Sequence, residues 1–199
     1  MAKSILELAT RRRSVRSFAG EPVRLEEVLR ALEVAAQSPS GANRQPWRFL
    51  ILTDPDLRRR VREACERGER EFYDSVDGDF REWLLAQGLS WRKPFLEEAP
   101  LLVAVLMDED AQYARESVWV AVGVLLLALE ELGLSTVTYT PSDTDLPLRE
   151  LDTPEGFKLE AILPVGYPAD DEPKKPKQSL GEVAFLNTWG NSVEAEDVS

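Results

Sequence analysis

Residues 38–47 read SPSGANRQPW and form a loop between a predicted helix and a predicted strand. Before the loop, apolar residues recur at spacings of three and four between residues 24 and 37, which predicts an amphipathic helix. After it, Trp47 and the apolar residues 49–52 are typical of a buried strand. Serine and glycine after a helix expose backbone N–H groups, and Pro46 restricts the entry into the strand. This loop could bind an anion or simply connect two elements.

The remaining pattern predicts an α+β fold in a single domain over residues 1–199. An apolar strand is predicted at residues 100–106, and a helix at residues 113–132 that ends before a glycine. Alternation at residues 135–140 and an apolar run at residues 159–166 predict two more strands. We find no internal repeat and no linker long enough to divide the chain.

Composition and charge exclude several classes of protein. The chain has 199 residues, of which 43% are hydrophobic and 30% charged, and its net charge is −12. We therefore expect no broad surface for nucleic acid or for anionic membranes. Histidine is absent and Cys65 is the single cysteine, so histidine-based metal sites, nucleophiles and general bases cannot form, nor can an internal disulfide. A function that needs basic residues must therefore depend on a local cluster of them.

The N-terminal residues and the longest apolar run predict where in the cell the protein is located. Residues 1–13 lack an apolar signal core, which predicts a protein that begins near Met1 in the reducing cytoplasm. The longest apolar run, residues 118–129, is shorter than the roughly 20 residues that span a bilayer. We expect this run to be a core helix and the protein to have no membrane partner.

A basic run stands out in this acidic chain. Residues 11–16 read RRRSVR, which places several arginines beside a serine. A dianionic phosphate needs clustered cations and short hydroxyl donors, and this run supplies both. The same arginines could equally be a solvated surface or pair with some of the 36 acidic residues.

Residues 66–98 predict a cover over a ligand. The segment is densely charged, and it also contains many aromatic side chains: Phe72, Tyr73, Phe80, Trp83, Trp91 and Phe95. That mixture suits a mobile lid better than a core element.

Two motifs together resemble the nitroreductase superfamily, whose members bind FMN through an Arg-rich Ser-x-Arg element and a Pro-Ser-x-x-Asn-x-Gln-Pro-Trp loop. Here they are RRSVR at residues 12–16 and PSGANRQPW at residues 39–47. The resemblance continues through TVTYTP at residues 136–141, LPVGYP at 163–168 and KPKQSLGEV at 175–183. It implies a central mixed β-sheet flanked by helices, and an intertwined homodimer in which both subunits contact each FMN. A C-terminal arm at residues 180–199 would pack on the partner.

The resemblance also implies the residues that bind the cofactor. The phosphate and ribityl chain would be bound by Arg12, Arg13, Ser14 and Arg16. The flavin would be contacted by Ser40 and by the segment Thr138, Tyr139 and Thr140, although these three residues are also ordinary strand formers. A late basic residue would be Lys177, with Lys174 or Lys175 as alternatives.

Two residues would act on the reaction itself. The resemblance implies that Thr140 donates a hydrogen bond to flavin N5, which would favour single-electron steps. It also implies that the backbone N–H of Ala42 holds a substrate phenolate. In the subgroup of the superfamily whose lid this chain resembles, smaller residues are usual at the position of Tyr139, so this residue is a departure from the pattern.

Within the superfamily, the lid resembles that of the iodotyrosine deiodinases. Glu69, Tyr73 and Lys93 match the residues that bind the amino-acid zwitterion there, and WRKPFLEEAP at residues 91–100 adds to the likeness. Glu69 and Tyr73 would share one helix face. A carboxylate suits the substrate ammonium, and a cation with a hydroxyl suits its carboxylate. In so charged a segment, however, such spacing also arises by accident.

The resulting hypothesis is FMN-dependent reductive dehalogenation of a halotyrosine to tyrosine and halide. NAD(P)H or a reductase would supply the electrons, and no metal would be needed. One alternative is a general NAD(P)H-dependent nitroreductase or quinone reductase, because one fold permits both activities. A second alternative is a non-catalytic flavin-binding interaction protein.

Overall fold

The computed structural model describes residues 3–193. Residues 1–2 and 194–199 of the expected domain and C-terminal arm lie outside the described residues. The helices are α1 Ile5–Arg11, α2 Leu25–Ala35, α3 Pro55–Ser75, α4 Gly78–Ala86, α5 Phe95–Glu98, α6 Ala114–Glu131, α7 Asp145–Glu150 and α8 Leu180–Val183. The strands are β1 Trp47–Leu52, β2 Leu101–Asp108, β3 Ser135–Thr136 and β4 Phe157–Gly166.

The four strands form one sheet in the order β1-β2-β4-β3, and each neighbouring pair is antiparallel. A parallel bridge joins Ser14 to Thr136 at the β3 edge. Among residues 3–193, the sheet is therefore mixed only through this bridge. The bridge fixes the basic run of residues 11–16 beside β3, because the Val15 N–H donates to the Thr136 carbonyl at 3.1 Å.

The sheet is buried on both faces, which explains why β2 reads as a continuous apolar run. Alternate residues of a strand point to opposite faces. One set, which includes Val103, packs with α2 and α6, and the other, which includes Leu102, packs with residues of α3 and α5. No helix in the described part of the chain is long and apolar enough to cross a membrane.

The charged segment 66–98 begins within α3, and both of its ends are packed in the core. Asp54 caps α3 by accepting a hydrogen bond from the Asp56 N–H, and the helix then runs for 21 residues. The segment begins on its C-terminal half, where Glu69 is buried, and ends with Phe95 and Leu96 inside the core. Between them, α4 exposes half of the Trp83 surface, so the middle of the segment is the part that resembles a cover.

Candidate functional site

A cleft of about 690 Å³ lies between the predicted lid and the segment that follows β3. Its lining brings together seven residues that the sequence singled out: Arg16, Glu69, Tyr73, Lys93, Thr138, Tyr139 and Thr140. They come from four separate parts of the chain. The juxtaposition of the lid residues with residues 138–140 is the central observation at this site.

Helix α3 places Glu69 and Tyr73 one turn apart on the face that meets the cleft. Glu69 is 4% exposed, whereas Tyr73 is half-buried. Partial burial raises the pKa of Tyr73, and the neighbouring Glu69 carboxylate adds to the shift. The Tyr73 hydroxyl therefore stays protonated at neutral pH and can donate a hydrogen bond.

Lys93 is held in place by its backbone as well as by its side chain. Its backbone N–H donates to Glu66 Oε1 at 2.7 Å, and its Nζ donates to the Ser90 carbonyl at 2.5 Å. Glu66 is anchored in turn by Arg62, whose Nη1 donates to Glu66 Oε2 at 2.6 Å. Glu66 was not expected from the sequence to take part in the site, because its spacing from Glu69 carries no functional signal.

Lys93 and Glu69 form a buried ion pair across the cleft, although each was expected to face a ligand. Lys93 Nζ lies 3.0 Å from Glu69 Oε2, and Lys93 is 8% exposed. The same ammonium lies 5.4 Å from the centroid of the Tyr73 ring. Burying an uncompensated charge is costly, and in this pair each side chain compensates the charge of the other.

The second oxygen of Glu69 has different partners. Its Oε1 accepts hydrogen bonds from the Tyr139 hydroxyl at 2.9 Å, the Ser142 N–H at 3.1 Å and the Ser142 hydroxyl at 3.0 Å. Burial raises the pKa of Tyr139 well above its ordinary value, and the nearby Cys65 and Glu69 raise it further. The phenol is therefore a donor throughout the physiological range. Sequence reasoning missed Ser142, because a serine in a turn carries no signal of its own.

The segment at residues 137–140 alternates between core and cleft. Val137 and Tyr139 are buried, whereas Thr138 is half-buried and Thr140 is exposed. The Tyr139 N–H donates to the Ile162 carbonyl at 3.1 Å, and the Ile162 N–H donates back at 2.8 Å. Thr138 and Thr140 thus occupy the surface expected to contact a flavin. The Tyr139 side chain, in contrast, is directed to Glu69.

A second cavity, of about 380 Å³, brings the basic run beside the late lysines. Its charged lining consists of six cationic side chains and one carboxylate: Arg12, Arg13, Arg16, Lys174, Lys175, Lys177 and Glu172. Ser14 adds a hydroxyl. Arg16 lines both this cavity and the cleft, so the two are neighbours. A strongly cationic cavity in a chain of net charge −12 is suited to a dianion.

Two of these cations already have protein partners. Arg13 pairs with Asp170 at 2.8 Å, which orients the guanidinium. The Lys174 ammonium donates to the Ala9 carbonyl, so its charge is directed toward α1. Lys177 and Lys175 are exposed at the cavity. This arrangement favours them over Lys174 as the late basic residue.

The loop at residues 38–47 lies far from the cationic cavity of the same chain. The Gly41 N–H donates to Ser117 Oγ at 3.1 Å, near the beginning of α6, whereas Arg11 of the basic run pairs with Glu130 at its end. At 1.5 Å per residue, these two points on α6 are about 20 Å apart. One chain therefore does not bring Ser40 and Ala42 to the cationic cavity.

The backbone of this loop is unusual. Ala42, Asn43 and Gln45 have φ values of 47°, 55° and 50°, in the left-handed region that non-glycine residues seldom adopt. Within residues 3–193, the Ala42 N–H donates to no protein acceptor. Such strained, unpaired backbone is concentrated at ligand-binding sites.

Cys65 is packed below the cleft, 1% exposed. Burial raises the pKa of its thiol to about 12. At neutral pH the thiolate is scarce, so Cys65 is unsuited to act as a nucleophile.

Comparison with known proteins adds a family context. The sequence profile of the nitroreductase family matches residues 9–167. The chain is 49% identical over 187 residues to an iodotyrosine deiodinase of Thermotoga neapolitana, covering 94% of this chain and 100% of that protein. It is 36% identical over 170 residues to an iodotyrosine deiodinase of Haliscomenobacter hydrossis, covering 80% of this chain and 77% of that protein.

A solved structure shows the same similarity in three dimensions. It is a crystal structure of an oxidised iodotyrosine deiodinase bound to FMN and 3-iodo-L-tyrosine. It matches with a TM-score of 0.88 and 48% identity, covering 94% of this chain and 100% of that one. The match therefore concerns the whole fold rather than one motif.

Proposed function

The chain belongs to the nitroreductase family and has its α+β fold, and from this premise we propose that it is an FMN-dependent reductive dehalogenase that converts a halotyrosine into tyrosine and halide. The observation that carries the proposal is the convergence of Glu69, Tyr73 and Lys93 in one cleft with Thr138 and Thr140. A general reductase of flat acceptors has no need of matched opposite charges there. The iodotyrosine deiodinases to which the chain is similar support the same substrate class.

The lid residues recognise the amino-acid end of the substrate. Glu69 binds the ammonium group, while Lys93 and the Tyr73 hydroxyl bind the carboxylate. Because these groups occupy a largely buried cleft, their hydrogen bonds are stronger than in water. The lid also limits the access of water to the aromatic ring beneath it.

The residues of the cationic cavity fit the phosphate and ribityl chain of FMN. Arg12, Arg13, Ser14 and Arg16 provide cations and a hydroxyl, and Lys177 adds a further cation. When bound, FMN would supply the electron pair that, together with a proton from water, converts the carbon–halogen bond into a carbon–hydrogen bond and a halide ion, and NAD(P)H or a reductase would restore the electrons. Thr138 and Thr140 line the cleft, where the Thr140 hydroxyl would donate a hydrogen bond to the flavin ring.

The loop at residues 38–47 completes the site from a second copy of the chain. Within one chain its residues lie about 20 Å along α6 from the basic run, so Ser40 and Ala42 would reach the flavin and substrate of the partner. The Ala42 N–H then donates to the substrate phenolate and stabilises the electron-rich form of the ring.

We expect the protein to be a homodimer in solution, and sedimentation should measure this directly. The apolar side chains that a partner would cover are exposed, and Trp189 has 90% of its surface accessible. Obligate dimers commonly bury more than about 2,000 Å². Replacing Leu186 and Trp189 with alanine should raise the dimer dissociation constant and lower FMN retention. A monomer that still holds FMN tightly at micromolar concentration would contradict the shared site.

Leu85→Ala is a matched control for the dimer experiment. Leu85 is also exposed and apolar, but it lies on α4 of the lid. This substitution should leave sedimentation unchanged.

The proposed activity is tested by halide release. We expect the dithionite-reduced protein to release about one iodide per bound FMN from 3-iodotyrosine and to return to the oxidised, yellow form. A nitroaromatic is the comparison substrate. Reduction of the nitroaromatic without any iodide release would support a general reductase, and a protein that binds no flavin would contradict both activities.

A further inference from the structure

The two oxygens of the Glu69 carboxylate are used differently. Oε1 accepts three hydrogen bonds, from the Tyr139 hydroxyl and from the N–H and hydroxyl of Ser142. Oε2 is 3.0 Å from the Lys93 ammonium, which also donates to the Ser90 carbonyl at 2.5 Å. One oxygen is therefore held by three donors of the scaffold, and the other by a single ion pair in which a second ammonium group can replace the first.

We infer that Tyr139 and Ser142 are positioning residues for substrate recognition: they fix Oε1 of Glu69, so that Oε2 can be exchanged between the Lys93 ammonium and the ammonium of a bound amino acid. This inference rests on the proposed function, because it assigns the Glu69–Lys93 pair to the binding of a zwitterion. The substrate brings one charge of each sign. Glu69 and Lys93 therefore each have a partner of opposite charge both before and after the substrate binds.

The scaffold around Oε1 is rigid. The Tyr139 backbone is paired in both directions with Ile162, and its ring packs edge-on against Phe95 with 5.7 Å between centroids. With 8% of its surface exposed, Tyr139 has little freedom to leave Glu69. Its hydroxyl thus sets the direction of the carboxylate.

The approach of Ser142 to Glu69 depends on the neighbouring glycine. A Cβ atom at Gly68 would lie 2.8 Å from Asp143 Cβ, closer than such atoms come in proteins. The absence of a side chain at this position lets the turn at residues 142–143 pack directly on α3. Asp143 Oδ1 accepts hydrogen bonds from the N–H groups of Asp145 and Leu146, which holds the turn in place.

The exchange gives a reason for selectivity toward a complete zwitterion. A ligand with an ammonium but no carboxylate would separate Lys93 from Glu69 and leave the lysine charge uncompensated in a buried site. A ligand with only a carboxylate would do the same to Glu69. Either outcome carries the penalty of an unpaired buried charge.

Tyr139→Phe tests the inference, because it removes the hydroxyl and keeps the ring that packs on Phe95. We expect the KM for 3-iodotyrosine to rise by about threefold to tenfold, which is less than the loss of a direct hydrogen bond to a charged group would give, because the Ser142 N–H and hydroxyl still hold Oε1. The kcat at saturation should change by less than about twofold, since catalysis proper does not use this hydroxyl. With 2-iodophenol, which has the ring without the zwitterion, kcat/KM should be unchanged.

Three further variants separate positioning from packing. Ser142→Ala should raise the KM for 3-iodotyrosine as Tyr139→Phe does, and Ser142→Thr should restore it by returning the hydroxyl. Tyr167→Phe is the matched control, because the Tyr167 hydroxyl donates to Glu27 at 3.5 Å outside the cleft. Tyr167→Phe should change neither the KM for 3-iodotyrosine nor the kcat/KM for 2-iodophenol. FMN affinity should be the same in all four variants.

Several results would overturn the inference. One is a Tyr139→Phe protein that matches the parent with both substrates, and another is an equal loss with both, which would indicate packing alone. A third is a failure of Ser142→Thr to restore the KM. If the parent protein binds 3-iodotyrosine but releases no iodide, the proposed function fails. The same comparison made with dissociation constants, of 3-iodotyrosine and 2-iodophenol, then still decides the roles of Tyr139 and Ser142.

Discussion

Replacing Arg13 and Arg16 together with alanine should lower the affinity for FMN by at least about a hundredfold. Each hydrogen bond to a charged group contributes about 1.5–3 kcal/mol, so losing two costs about 3–6 kcal/mol. Since 1.4 kcal/mol corresponds to a factor of ten, the lower limit is already more than a hundredfold. Equilibrium titration of the apoprotein with FMN, followed by flavin fluorescence, measures the change.

The matched control removes two arginines from another surface. Arg59 and Arg60 lie on α3 and form exposed ion pairs with Asp56 and Glu150. Their double replacement with alanine changes the net charge by the same amount and should leave FMN affinity nearly unchanged, apart from a weak long-range effect that salt screens. If both double variants retain the parent affinity, the phosphate is not bound by the basic run.

Much of the fold could be predicted because burial imposes a period on the sequence. The 24–37 pattern corresponds to α2, the apolar run after Trp47 to β1, and the continuous run before residue 106 to β2. These predictions are confirmed. Each depends on contacts that a single element makes with the core, and such contacts leave a regular trace in the order of the residues.

The strand predicted at residues 135–140 was too long, and the reason is non-local. Only Ser135 and Thr136 form a ladder with β4, and the chain rejoins that strand through a single bridge at Tyr139. The alternation of buried and exposed side chains persists across the gap. Alternation of apolar and polar residues shows which side of the chain is buried, but it does not show whether the backbone forms hydrogen bonds with a neighbouring strand.

The site residues could be singled out, but their partners could not. A carboxylate and a hydroxyl one helical turn apart can be read from the sequence, because α3 fixes their relation. The pairing of Glu69 with Lys93 joins residues 24 positions apart, and its link to Ser142 spans 73 positions. The first depends on how α3 packs against the segment that precedes α5, and the second on how α3 packs against the turn after β3. Gly68 permits α3 to pack against the turn, but the local sequence does not predict this contact.

Glu69→Gln should weaken the binding of 3-iodotyrosine by at least tenfold, while a flat nitroaromatic is reduced about as fast as before or faster. The substitution keeps the shape of the side chain and removes its charge. Truncating one partner of a buried charge pair costs about 2–5 kcal/mol, which is at least a factor of ten in affinity. It also leaves the Lys93 ammonium without its charged partner, so the lid should loosen and 3-iodotyrosine turnover should fall.

The comparison of two substrates and two variants decides what Glu69 does. Glu63→Gln is the matched control, because Glu63 lies on the exposed face of the same helix and pairs with Arg62 at the surface. It should behave as the parent with both substrates. If Glu69→Gln lowers both activities equally, Glu69 supports the structure of the lid rather than recognition. If it changes neither, the general reductase replaces the dehalogenase, because a charge that can be removed without effect does not select a zwitterion.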